Sequence, residues 1–202
     1  AHTLGVRNLF VVMGDPPQIG DYPEASDAQD VVPSGLIRLV THNLNRGVDQ
    51  AGQSIGQPTG FVVGAALSMG AANLAREIDV LRKKVEAGAR FVLTQPVFDP
   101  DMVTRFLESF AGQPPLPIVM GLLPLYNTRH ARFIHHEVPG ITIPDPIMAR
   151  IEAADERGAA REEGIRIAQE ILLAARPHVQ GVYIMPPFRR YDIAAEVMAA
   201  LR

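Results

Sequence analysis

Five short apolar runs, each followed by a helical pattern, constrain this chain more than any other feature of its sequence. They are residues 8–14 (NLFVVMG), 60–66 (GFVVGAA), 91–95 (FVLTQ), 117–123 (PIVMGLL) and 181–185 (GVYIM). Repeated strand-then-helix units predict an α/β fold with a parallel sheet, because a parallel pair needs a crossover long enough to hold a helix. In such folds the chemistry gathers where strands hand over to helices. The residues to weigh first are therefore Gly14-Asp15-Pro16-Pro17, Thr94-Gln95-Pro96, Leu123-Pro124 and Met185-Pro186-Pro187.

A chain of 202 residues with 47% hydrophobic content can bury the core of one large domain, or of a large part of one. Its net charge of -3 gives no general attraction to nucleic acid or anionic membranes, so a small-molecule ligand is expected. The absence of cysteine excludes disulfides, thiolate catalysis and Cys-ligated metals. No apolar stretch reaches the roughly 18 residues of a membrane span, and the start, AHTLGVRN, lacks the apolar core of a signal peptide. A cytoplasmic protein is expected.

Residues 16–33 read as a long loop, of the kind that commonly lies over a site. Ser34 is the expected N-cap of a helix ending near Arg46-Gly47. Residues 72–87 are the clearest helix, with Leu74, Ile78, Leu81 and Val85 at spacings of three and four and Gly88 as its stop. Further helices are predicted over 101–110, 128–137, 146–154, 162–175 and 191–201. Five strands do not close a barrel, and an eight-stranded barrel takes about 250 residues. An open doubly wound sheet and the C-terminal part of a barrel both fit this length.

Taken singly, the candidate residues have ordinary explanations as well as functional ones. The Gly-Asp-Pro-Pro sequence suits a tight structural turn. Gln95 offers a donor and an acceptor side by side, which suits the edge of a heteroaromatic ring, or it is a buried amide satisfied by backbone. Glu77 and Lys84 are two helical turns apart and share a face, the usual setting of a solvated ion-pair ladder. His130 and His135 are five residues apart and diverge around a helix, which predicts solvated helix-end histidines rather than a metal site. No nucleophile elbow, GxGxxG or phosphate-binding P-loop is present.

In combination the motifs are specific. GDPP at 14–17, VEAGARFVLTQPVFD at 85–99, GLLPL at 121–125 and VYIMPPFRRYDIAAEV at 182–197 resemble the methylenetetrahydrofolate reductase family. DYPEA, LNRGVD, VPGITIP and REEGIRIAQEIL resemble most the reductase half of bacterial bifunctional homocysteine S-methyltransferase/5,10-methylenetetrahydrofolate reductases. The resemblance covers essentially the whole chain. It implies a (β/α)8 TIM-type barrel of which residues 1–202 supply strands four to eight. It also implies noncovalent FAD at the strand ends and NAD(P)H as cosubstrate. The implied reaction is reduction of 5,10-methylenetetrahydrofolate to 5-methyltetrahydrofolate, in one-carbon and methionine metabolism. An attached homocysteine S-methyltransferase domain is implied by the subgroup, and a homo-oligomer is left open.

The resemblance assigns Gly14 and Asp15 to the flavin, with Asp15 also acting catalytically near the pterin. It assigns Ala66, Leu67, Glu77 and Lys84 to cofactor binding. Gln95 falls to the pterin edge, Met185 and Pro187 to the folate pocket, and Arg189 or Arg190 to its rim. The chain departs from the family at Met13, where many members carry Arg, and at Thr128, where some use an aromatic ring. Gln29 likewise stands near the place of an aromatic residue. The glutamate that acts as general acid on the family's first strand has no counterpart here. Two functions are therefore expected: the FAD-dependent reductase, or a noncatalytic flavin- or folate-binding remnant that needs a partner to complete the barrel.

Overall fold

The structure, a computed structural model, describes residues 1–14, 16–26 and 30–202. Its five strands are β1 (Asn8–Val11), β2 (Val62–Leu67), β3 (Phe91–Pro96), β4 (Ile118–Leu122) and β5 (Gly181–Ile184). They lie in one sheet in the order β1-β2-β3-β4-β5. The crossovers hold α1 (Pro33–Arg38), α2 (Leu74–Glu86), α3 (Asp101–Glu108), and then α4 (Thr128–Glu137), α5 (Asp145–Asp155) and α6 (Ala160–Ala175); α7 (Tyr191–Met198) follows β5. A doubly wound sheet reverses its strand order at a switch point, whereas consecutive barrel strands do not. The observed order is that of part of a (β/α) barrel, and the doubly wound alternative falls. Among the described residues no helix is long and apolar enough to cross a membrane.

The chain divides into two compact units. The first comprises residues 1–66 and 78–92. In it β1 and β2 pair in parallel from Asn8↔Val62 to Val11↔Ala65. Val11, Val63 and Ala65 are buried, while Phe10 (46% exposed) and Val62 (43%) look out from the other face. The predicted run 8–14 is thus too long, since pairing stops at Val11.

The first helix corrects the expected cap. It starts at Pro33, with Val32 before it, and Ser34 lies inside the first turn. Proline's fixed φ and missing N–H suit that first position better than any later one. The helix then widens into a π turn over Leu39–Asn43, tightens over Leu44–Arg46, and stops at left-handed Gly47 as expected. Gly88 closes α2 with φ +101°, and a Cβ there would meet the Thr41 hydroxyl at 2.8 Å. Only glycine fits that corner.

The second unit comprises residues 67–77 and 93–202. Its β4 and β5 pair from Val119↔Gly181 to Leu122↔Ile184. Ile118, Met120 and Leu122 are buried together with Phe106 of α3, Ile151 of α5, Ile167 and Leu172 of α6, and Ile193 and Val197 of α7. Exposed ion pairs stitch successive helices: Arg132–Glu152, Arg150–Glu170 and Arg161–Asp192. Pairs of that kind contribute about 0–1 kcal/mol each, so burial of these aliphatic side chains dominates.

Candidate functional site

The second unit carries a connected set of groups at the C-terminal ends of β3, β4 and β5. Thr94, 2% exposed, is its hub. Its hydroxyl accepts from the Gly121 N–H at 3.0 Å and donates to the Gln95 carbonyl at 2.6 Å. Its own carbonyl accepts from the Tyr183 hydroxyl at 2.6 Å. Burial pushes the Tyr183 phenol pKa up, which keeps it a neutral donor. Register brings Gly121 opposite Tyr183, and a Cβ at 121 would stand 2.9 Å from that hydroxyl and 3.1 Å from the Thr94 carbonyl. The missing side chain is what lets the tyrosine cross β4 to reach β3.

This hub fixes the backbone from which Gln95 projects, and Gln95 itself is exposed. The reading of Gln95 as a buried amide satisfied by backbone is therefore wrong. Beyond β5, Met185 is half-buried and its N–H donates to the Leu122 carbonyl at 2.9 Å, while Pro187 is buried. Arg190 forks onto both carboxylate oxygens of Asp192, at 3.0 and 2.7 Å, and lies 3.5 Å from the Tyr126 hydroxyl. Arg190, aided by Arg161, holds the Asp192 carboxyl well below the usual carboxylate range. Arg189 is exposed.

An aromatic cluster absent from the sequence reading adjoins these residues. The Phe188 ring meets Tyr126 and His130 with centroids 5.4 Å away in each case. Asn127 caps α4 by accepting from the His130 N–H at 2.8 Å. His130 Nδ1 then accepts from the Tyr126 N–H at 3.3 Å, so the ring proton sits on Nε2. His135 accepts from the Ile143 N–H at 3.1 Å. These two histidines are not the solvated helix-end groups expected, because each closes a loop against α4. Aromatic residues just past strand ends, as in LPLYN and PPFRR, are the signal that would have found the cluster.

Burial lowers the His130 pKa from its ordinary 6.5. The unfolded chain then binds the proton more readily than the folded one, so the stability tied to neutral His130 is complete above pH 6.5 and is lost as pH falls through the lowered value. His130→Asn is expected to flatten this slope. Urea midpoints at about pH 7.5 and about pH 5 should fall less in the variant than in the parent; equal falls would contradict the assignment.

The remaining predicted residues stand as follows. Asp15 and Gln29 lie outside the described residues, and Gly14 is exposed. Leu67 is buried and Ala66 half-buried at the end of β2. Lys84 is only 7% exposed, and its Nζ donates to the Ala66 carbonyl at 2.8 Å. Glu77 accepts from the Ser68 N–H at 3.2 Å. The solvated-ladder reading of Glu77 and Lys84 is therefore wrong, since Lys84 turns to the backbone of the last residues of β2 and Glu77 to the backbone just past it.

The family model for methylenetetrahydrofolate reductase matches residues 1–190. Methylenetetrahydrofolate reductase 2 of Schizosaccharomyces pombe is 25% identical over 192 residues, covering 90% of this chain and 28% of that protein. Methylenetetrahydrofolate reductase 1 of the same yeast is 25% identical over 178 residues, covering 85% and 27%. The chain thus spans under a third of the length of these curated relatives. A solved structure, an uncharacterized Clostridium thermocellum protein described as binding two copies of 5-methyl-5,6,7,8-tetrahydrofolic acid, is 16% identical with a TM-score of 0.46. That likeness covers 70% of this chain and 52% of the other. By the family match over nearly its whole length, the chain belongs to the methylenetetrahydrofolate reductase family.

Proposed function

We propose that this chain is the strand-four-to-eight part, residues 1–202, of a reductase barrel that converts 5,10-methylenetetrahydrofolate to 5-methyltetrahydrofolate with NAD(P)H and FAD. The observation that carries the proposal is the exposed Gln95 amide on a backbone locked by Thr94, Gly121 and Tyr183. With that backbone fixed, only the Gln95 side chain has to be ordered for its amide to meet the pterin edge. Met185 and Pro187 line the folate pocket, and Arg189 or Arg190 faces the anionic end of the substrate. Gly14, Ala66, Leu67, Glu77 and Lys84 hold the flavin, and Asp15 sets charge near the pterin. Bound FAD would supply the redox chemistry; the protein orients the pterin beside it and excludes water.

Within the subgroup this function is coupled to an attached homocysteine S-methyltransferase domain in a cytoplasmic protein. The test is to purify the protein, record bound-flavin absorbance, and measure 5-methyltetrahydrofolate binding and NAD(P)H oxidation with menadione. Yellow protein that binds the folate is the expected result. A colourless protein that binds neither ligand would sink the proposal.

A further inference from the structure

Phe188 is oddly placed for a phenylalanine. It is 67% exposed at the end of β5, and its backbone is left-handed with φ +53° and ψ 32°. Arg189 beside it is left-handed too, with φ +60°. Two successive side-chain-bearing residues in that region are strained, and strain of this kind collects where function demands it. A glycine at 188 would make the same turn without strain, and an exposed large apolar ring adds nothing to the core. What the turn does accomplish is to present a ring at the strand end. Tyr126 packs edge-on to it, with planes at 73°, and His130 lies tilted at 57°. Half-buried His130, its pKa lowered by desolvation from the ordinary 6.5, is mainly neutral at pH 7, so the ring beside Phe188 is an uncharged imidazole. Met185 and buried Pro187 precede it on the same strand end.

We propose that Phe188 is a positioning residue whose braced ring stacks on the flat, conjugated ring system of the folate substrate. This rests on the function proposed above and extends it to a residue that the sequence motifs did not single out. The ring quadrupole favours an offset or edge contact with a flat heteroaromatic, and Tyr126 and His130 hold the ring against swinging away.

The chain has no tryptophan, so Phe188→Trp introduces a single indole at the proposed contact. Titration with 5-methyltetrahydrofolate should quench that indole while affinity stays within about threefold of the parent, as for one aromatic ring replacing another. Phe188→Gly should melt at or above the parent temperature, because it relieves the turn. It should nevertheless bind the folate about tenfold more weakly, the scale of one aromatic pair, with KM rising and kcat little changed. Unchanged affinity in Phe188→Gly, or an unquenched indole at saturating ligand, overturns the stacking role while parental folate binding upholds the proposed function. A parent protein that binds no folate overturns both.

Discussion

Gly164→Ala is expected to lower the stability of this protein by about 2 kcal/mol or more, against the intuition that alanine improves a helix. Gly164 is buried in α6, and a Cβ there would fall within the van der Waals envelope of the Leu125 carbonyl. Alanine gains about 1 kcal/mol of helix propensity over glycine. Overpacking costs about 1–3 kcal/mol when a side chain can yield. Here the obstacle is backbone, so relief requires α6 or the loop after β4 to move. The total stability of a domain is about 5–15 kcal/mol, so the loss would be a large share of it. Urea denaturation should show a lower midpoint with an unchanged slope. A midpoint equal to or above that of the parent would show that the loop yields freely. Because Leu125 directly precedes Tyr126, the variant should also bind folate less well than its stability alone would suggest.

Gln95→Ala is the larger functional prediction. The amide is assigned two hydrogen bonds to the pterin edge, each contributing about 1–1.5 kcal/mol, so their loss should cut folate-dependent turnover about 100-fold. NAD(P)H oxidation with menadione, which needs no pterin, should stay within about twofold. Stability should hardly change, because Gln95 is exposed and a surface change of that kind shifts it by about 0.5 kcal/mol at most. Parallel assays with the two acceptors therefore separate the role of Gln95 from general damage. Equal losses with both acceptors would remove Gln95 from the pterin.

The sequence was most legible where local signals agreed with long-range packing. All five strands and the helix over Thr128–Glu137 follow from apolar runs and 3.6-residue periodicity, and Gly47 and Gly88 stop their helices as turn chemistry requires. Boundaries were less legible: Val12 and Met13 are apolar but leave the sheet, because pairing with β2 decides the end of β1. Gln95 could be singled out because an amide after Val92, Leu93 and Thr94 breaks the run. Tyr126 and Phe188 could each be flagged as aromatics just past a strand end, but their meeting with His130 could not, since the three are up to 62 residues apart in sequence and come together only after β4 and β5 pair. Lys84 shows the same limit. A lysine on an amphipathic helix looks solvated, and the β2 carbonyl that accepts from it is set by a strand distant in sequence.

Gly121 and Tyr183 fill one another's space across β4 and β5. Their substitutions are for that reason not independent. Alanine at 121 clashes with the tyrosine, and a smaller residue at 183 relieves that clash and leaves the Thr94 carbonyl at 3.1 Å as the remaining close contact, while the smaller residue alone leaves a void and strips the Thr94 carbonyl of its donor. A redesign here has to treat the two positions as a pair and leave room beside the Thr94 carbonyl.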